Sequence, residues 1–204
     1  TELCNGVMIF LFNRTILRCI GQDGLVSYTI IAYINTLILN IMLGVSQGSQ
    51  PLISYHYGQK DRGGCRRLLR YGLVTLVGMT VLCFGAVQLL APQIVHAFLG
   101  DENPALNLSS VDALRRYGLC YLMVGFNVLM GGFLTAVERP RPAICISVGR
   151  GLALQAGALL LLAAVWGGSV IWFAPVISEA LCLVMALVFM TWFWRKTPDP
   201  AQIS

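Results

Sequence analysis

Charge is what this sequence has least of. Only 11% of its 204 residues are Asp, Glu, Lys or Arg, against 57% hydrophobic residues, which is too little polar surface to coat a soluble globule of this length. Strict alternation of apolar and polar residues is also missing, which excludes a membrane β-barrel and leaves helices. The seven cysteines are scattered singly, with no zinc, haem or redox spacing, and His56 and His96 stand alone, so no metal site is expected. With no nucleophile and base pair and no phosphate loop, an enzyme is the weakest functional class. The first residue is Thr, and neither a charged leader nor a cleavage site follows it. No signal peptide is legible, and because the first apolar segment reads as cut short, a longer parent chain is expected.

What is present is apolar length. Six segments, about 1–20, 25–57, 71–95, 117–137, 143–165 and 170–194, are long enough to cross roughly 30 Å of hydrocarbon. The expectation is an all-α integral membrane protein with six transmembrane helices over 1–196 and a cytoplasmic tail over 197–204. Lys60, Arg62, Arg66, Arg67 and Arg70 form the densest basic run. A nucleic-acid surface is the sharp alternative there, but a short basic connection between two spans is first a topology signal. Connections after segments two, four and six carry nine Lys or Arg, against four (Arg14, Arg18, Arg115 and Arg116) on the other side. That bias places the C-terminus in the cytoplasm, with the spans surrounded by membrane lipid.

Polar groups inside the spans are the candidate functional residues, because they are costly in hydrocarbon. Segment two carries Gln47, Ser49, Gln50 and Ser54 around Pro51. Proline removes an amide donor and frees a carbonyl one turn earlier, near Gln47. Gln47 and Gln50 share a face at i and i+3, which reads either as a stripe lining a wet cavity or as a kinked helix end entering the headgroups. Glu2 is a carboxylate at membrane depth if the helix begins before Thr1, or a solvated first-turn acid if it does not. Asn127 is the one strongly polar residue near the middle of segment four. Arg150 lies some 12 Å from the inner edge of segment five and Glu179 some 14 Å from the outer edge of segment six. These depths match within a few ångström across a ~30 Å core, so an intramembrane ion pair is expected, either joining the helices or serving transport.

The run Gly44-Val-Ser-Gln-Gly-Ser-Gln-Pro-Leu-Ile-Ser-Tyr-His-Tyr-Gly-Gln-Lys-Asp61 resembles the end of the eighth helix in the multidrug and toxic compound extrusion (MATE) family, particularly its bacterial branch of small efflux pumps, which implies a bacterial inner membrane. The flanks agree in order: Glu2-Leu3, Phe12-Asn13-Arg14, an acidic turn at 100–104, Pro140-Arg-Pro142, Arg150 and Glu179. The resemblance implies the C-terminal six-helix lobe of a twelve-helix efflux antiporter, with the N-terminal lobe as its missing partner. Such proteins exchange small amphipathic or cationic organic compounds for protons or sodium and use no other cofactor. By that resemblance Glu2 aligns with a cation-coordinating carboxylate, while Asn127 stands where sodium-dependent relatives have aspartate, which favours proton coupling or a cation site in the missing lobe. Glu2, Gln47, Gln50 and Asn127 become cavity or coupling groups, Pro51 a kink or gate, and Arg150 with Glu179 the internal ion pair. His56 occupies a place often held by Asn. A lipid-linked oligosaccharide flippase of the same superfamily, whose cavity is richer in cations, is the second reading, and a non-transporting membrane subunit is the third.

Overall fold

Apolar runs punctuated by glycine, proline and short polar turns fold entirely as helices. A computed structural model describes residues 2–101 and 103–196, without the side chains of residues 2–5, 169 and 196. The helices are α1 (Glu2–Cys19), α2 (Gln22–Gly58), α3 (Arg62–Leu99), α4 (Pro104–Gly118), α5 (Tyr121–Ala136), α6 (Pro140–Val148), α7 (Leu154–Trp166) and α8 (Ala174–Lys196). A π turn, Gly149–Ala153, joins α6 to α7, and a 3-10 turn, Gly168–Phe173, leads into α8. Among the described residues, five spans are long and apolar enough to cross a membrane: Gln22–Gly58, Arg62–Leu99, Pro104–Ala136, Pro140–Trp166 and Val170–Arg195. With α1 they make six antiparallel passes, and no strand occurs among the described residues.

Two passes start earlier than apolar length alone indicates, because polar caps extend them. Asp61 Oδ1 accepts the Gly64 N–H at 2.8 Å, so the basic run from Arg62 is the first turns of α3 rather than a loop. Asn103 Oδ1 likewise accepts the Leu106 N–H at 3.1 Å with Pro104 in the first turn, making the amphipathic stretch before segment four a helix in its own right. The Gly64 bond and then His56, whose Nδ1 lies 2.8 Å from Oδ2, hold the Asp61 carboxyl below the usual carboxylate range.

The two ends of the bundle close differently. At one end the turns use Gly21, Gly100 and Gly167, all at positive φ, where an added Cβ is unfavourable. At the other end Lys60 and Glu138 take that conformation. The following amides reach back five residues, Asp61 N–H to His56 O and Arg139 N–H to Leu134 O, both at 2.9 Å, satisfying carbonyls the helix leaves open. This second end is the basic one, where Arg66 stacks on Trp194 at 5.1 Å and Arg139 on Trp192 at 5.9 Å.

Helix α5 is the axis of the lobe. Twelve of its sixteen residues are buried, whereas α3, α7 and α8 turn Val77, Val81, Leu161 and Val184 outward, as lipid-facing helices do. Its glycines set the spacing. A Cβ at Gly125 would meet Thr80 at 3.1 Å, and one at Gly132 would collide with Ser46 Oγ and come within 2.9 Å of Gln50 Nε2. Small residues thus bring α2 and α3 against α5. Helix α1 joins this core through Phe12, stacked on Tyr28 with centroids 5.0 Å apart.

Candidate functional site

The pass formed by α6 and α7 is interrupted where Arg150 sits, the charge farthest from its ends. Arg150 occupies the π turn between Gly149 and Gly151, an insertion that widens one turn and often marks functional positions in helices. From there Nη1 lies 3.8 Å from Glu179 Oε1 on α8, and the two side chains are only 15% and 9% exposed. That distance is an ion pair without a close hydrogen bond. The close bond comes from α5, where Asn127 Nδ2 donates to Glu179 Oε2 at 2.6 Å and to the Glu179 carbonyl at 2.9 Å. Asn127 itself is fully buried. Its Oδ1 has no hydrogen-bond partner among the described residues.

The expected Arg150 and Glu179 contact is therefore present, and Asn127 belongs with it rather than with the glutamines of α2. Beside this cluster is a cavity of about 60 Å³ lined by Arg150, Glu179, Asn35, Tyr117, Gln155 and Pro175, among others. It is polar and large enough for a few waters. Asn35 on α2 and Gln155 on α7 escaped sequence reasoning. Gln155 is five residues after Arg150, a spacing that faces the same way only across a π turn. Asn35 did carry a signal, as a lone amide in the apolar run Tyr33-Ile-Asn-Thr-Leu37.

The α2 stretch is divided by its packing. Ser46 Oγ donates to Val128 O at 3.1 Å and Ser54 Oγ to Ala136 O at 3.0 Å. Half-buried Gln50 lies between them, against Gly132. Residues 46, 50 and 54 thus form a polar seam with α5 at a spacing of four. Gln47 and Pro51 are exposed on the surface of the lobe, and α2 continues through Pro51 to Gly58. Neither glutamine lines the cavity beside Glu179. The side chain of Glu2 lies outside the described residues.

His56 is half-buried in the turn between α2 and α3, bonded to Asp61, and acts as a hydrogen-bonding member of that joint. Among the described residues no group of three His, Cys, Asp or Glu is placed to hold a metal ion. The described cysteines are all free.

The MatE family model matches residues 1–156. No curated protein matches the chain. Among solved structures, a multidrug resistance MATE family transporter of the MOP superfamily superposes in its outward-facing conformation with TM-score 0.84 and in its inward-facing conformation with TM-score 0.86. Both are 16% identical over 92% of this chain, which covers 42% and 43% of theirs. A MOP superfamily transporter from Pyrococcus furiosus Vc1, described as having a binding pocket of reverse polarity, gives TM-score 0.84 at 16% identity, with 92% of this chain and 42% of that one covered. The chain thus spans less than half the length of these transporters.

Proposed function

The chain belongs to the MatE family, a family of membrane transporters rather than enzymes, and on that premise we propose that it forms one six-helix lobe of a proton-coupled exporter. The observation that carries this reading is the Glu179 carboxylate, held between Asn127 and Arg150 at the wall of a water-sized cavity. A proton arriving through the cavity converts Glu179 to its neutral form and removes the attraction to Arg150. Asn127 serves both states, because its amide donates to the carboxylate, and when turned over presents its oxygen to the carboxylic acid. A ligand shifts an equilibrium only by binding two states differently, and this cluster differs in charge between its two protonation states. Sodium is the weaker candidate: a guanidinium 3.8 Å from the only carboxylate of the cluster already neutralises it.

In this proposal a second lobe supplies the opposite wall of the pathway, and the switch between states lies between lobes. Nearly equal likeness to the outward-facing and inward-facing relatives, TM-scores 0.84 and 0.86, supports a lobe that moves as one body. Exposed Gln47 and Pro51, with Gln50 behind them, then face the partner lobe as a gate, and Glu2 adds a second carboxylate. The exported compounds are amphipathic or cationic organic molecules. Pairing of Arg150 with Glu179 argues against a pyrophosphate-binding flippase, which needs that guanidinium unneutralised. The basic end faces the cytoplasm of a bacterial inner membrane. Co-expression with a matching first lobe tests the reading by dye efflux. Efflux driven by a pH gradient and lost in Glu179→Gln is expected, whereas no efflux from any pairing returns the chain to a non-transporting subunit.

A further inference from the structure

A second, larger hollow lies at the basic end between α6 and α8. It measures about 580 Å³, and its apolar floor is Pro142 and Cys145 on α6 with Val188, Phe189 and Trp192 on α8. The helices run antiparallel along it. A Cβ at Gly149 would lie 3.0 Å from Met185, and the Cys182 thiol lies 3.8 Å from the Ile146 carbonyl.

The rim is cationic. Among the described residues, Arg139 and Arg141 border the hollow, against the single carboxylate of Glu138. Arg139 is half-buried and lies 5.9 Å over the Trp192 ring, an arrangement that holds a guanidinium in place while leaving its edge donors for an anion. Arg141 is exposed. Tryptophan at this level marks the boundary between headgroups and hydrocarbon. From the rim toward membrane depth, exposed Val188 and Val184 on α8 follow at a spacing of four and form an apolar ridge beside the floor, whereas Ile144 and Val148 of α6 line a neighbouring hollow with Thr135 and Ala143.

We propose that this hollow binds an anionic phospholipid, with its phosphate at Arg139 and Arg141 and an acyl chain along the apolar floor of Cys145, Val188 and Phe189. A free phosphate would use the arginines and leave the apolar floor idle. A zwitterionic lipid brings its own cation to a rim where two arginines already outnumber one carboxylate. Basic pockets between spanning helices hold acidic headgroups by this combination of charge and groove. The site does not depend on Glu179 or on transport, and only its leaflet rests on the topology proposed above.

Native mass spectrometry of the purified full chain, given equal amounts of phosphatidylglycerol and phosphatidylethanolamine, tests the site. Phosphatidylglycerol should be retained preferentially. Arg141→Gln, at an exposed position that folding does not need, should weaken retention about fivefold, and Arg139→Gln with Arg141→Gln about thirtyfold. Val188→Asp, which puts a charge in the groove, should weaken it with both arginines intact, and circular dichroism of each variant should match the parent. Equal retention of the two lipids, indifference to both arginines, or displacement by excess glycerol phosphate would overturn the proposal. So would retention that emerges only after residues 197–204 are removed, since the chain's own tail would then be the occupant.

Discussion

Glu179 on α8 and the two glutamines of α2 are all strongly polar groups within spanning helices, yet the fold treats them in opposite ways. Glu179 is enclosed, with Asn127 donating at 2.6 Å and the Arg150 guanidinium 3.8 Å away, so a full charge is met by a donor and a counter-charge from two other passes. Along α2, the seam of Ser46, Gln50 and Ser54 is used on backbone and glycine contacts with α5, while Gln47 stays exposed. A buried charge in hydrocarbon has to be answered within the lobe. An amide costs less and can wait for a partner lobe. The charge of the enclosed cluster is thus answered within this chain, and the α2 surface is the one the proposed second lobe would cover.

Removing one member of the enclosed cluster should have the largest effect. Arg150→Met leaves the Glu179 carboxylate without its counter-charge, and stability in detergent should fall by about 3–5 kcal/mol, read as a lowered melting temperature or loss of folded chain. Adding Glu179→Gln to Arg150→Met should restore most of it, because no buried charge then remains. If the double variant is as unstable as the single one, the cluster is held by packing and the contrast with α2 disappears.

The seam comes next. Gly132→Ala places a methyl group against Ser46 Oγ and Gln50 Nε2, where Ser46 is fixed by its bond to Val128 O. The expected cost is about 1–3 kcal/mol, with the helical circular dichroism signal retained. A wild-type melting temperature would mean that α2 and α5 have slack between them.

Smaller effects are expected on the exposed side. Pro51→Ala returns an amide donor to the Gln47 carbonyl, and α2 should gain about 1 kcal/mol, less than in water because neighbours partly satisfy such groups in a membrane. Its larger consequence should be altered efflux once a first lobe is supplied. Gln47→Ala should change the stability of the lobe by no more than about 0.5 kcal/mol while reducing efflux in the two-lobe protein. A large stability loss in either would place that residue in the fold rather than at the gate.

Much of the fold was legible because apolar length is a direct consequence of the bilayer. Pairing Arg150 with Glu179 needed only two depths and a helical rise per residue. Asn127 was visible as a polar residue, but its partner was not, since lateral proximity of α5 and α8 depends on three-dimensional packing. Gln155 stayed hidden because it shares a face with Arg150 only through the π turn at Gly149–Ala153, which no 3.6-residue periodicity reveals. The early starts of α3 and α4 were written in Asp61 and Asn103, capping residues that a hydropathy reading passes over.

Proton movement in proteoliposomes of the two-lobe protein is the most direct test of Glu179 as the coupling group. With a pH-sensitive dye inside the vesicles, adding an organic cation should drive proton flux in the parent and in Arg141→Gln, and no flux in Glu179→Gln. Substrate-driven proton flux undiminished in Glu179→Gln would contradict the account, leaving the Asn127, Arg150 and Glu179 cluster as a structural tie between helices.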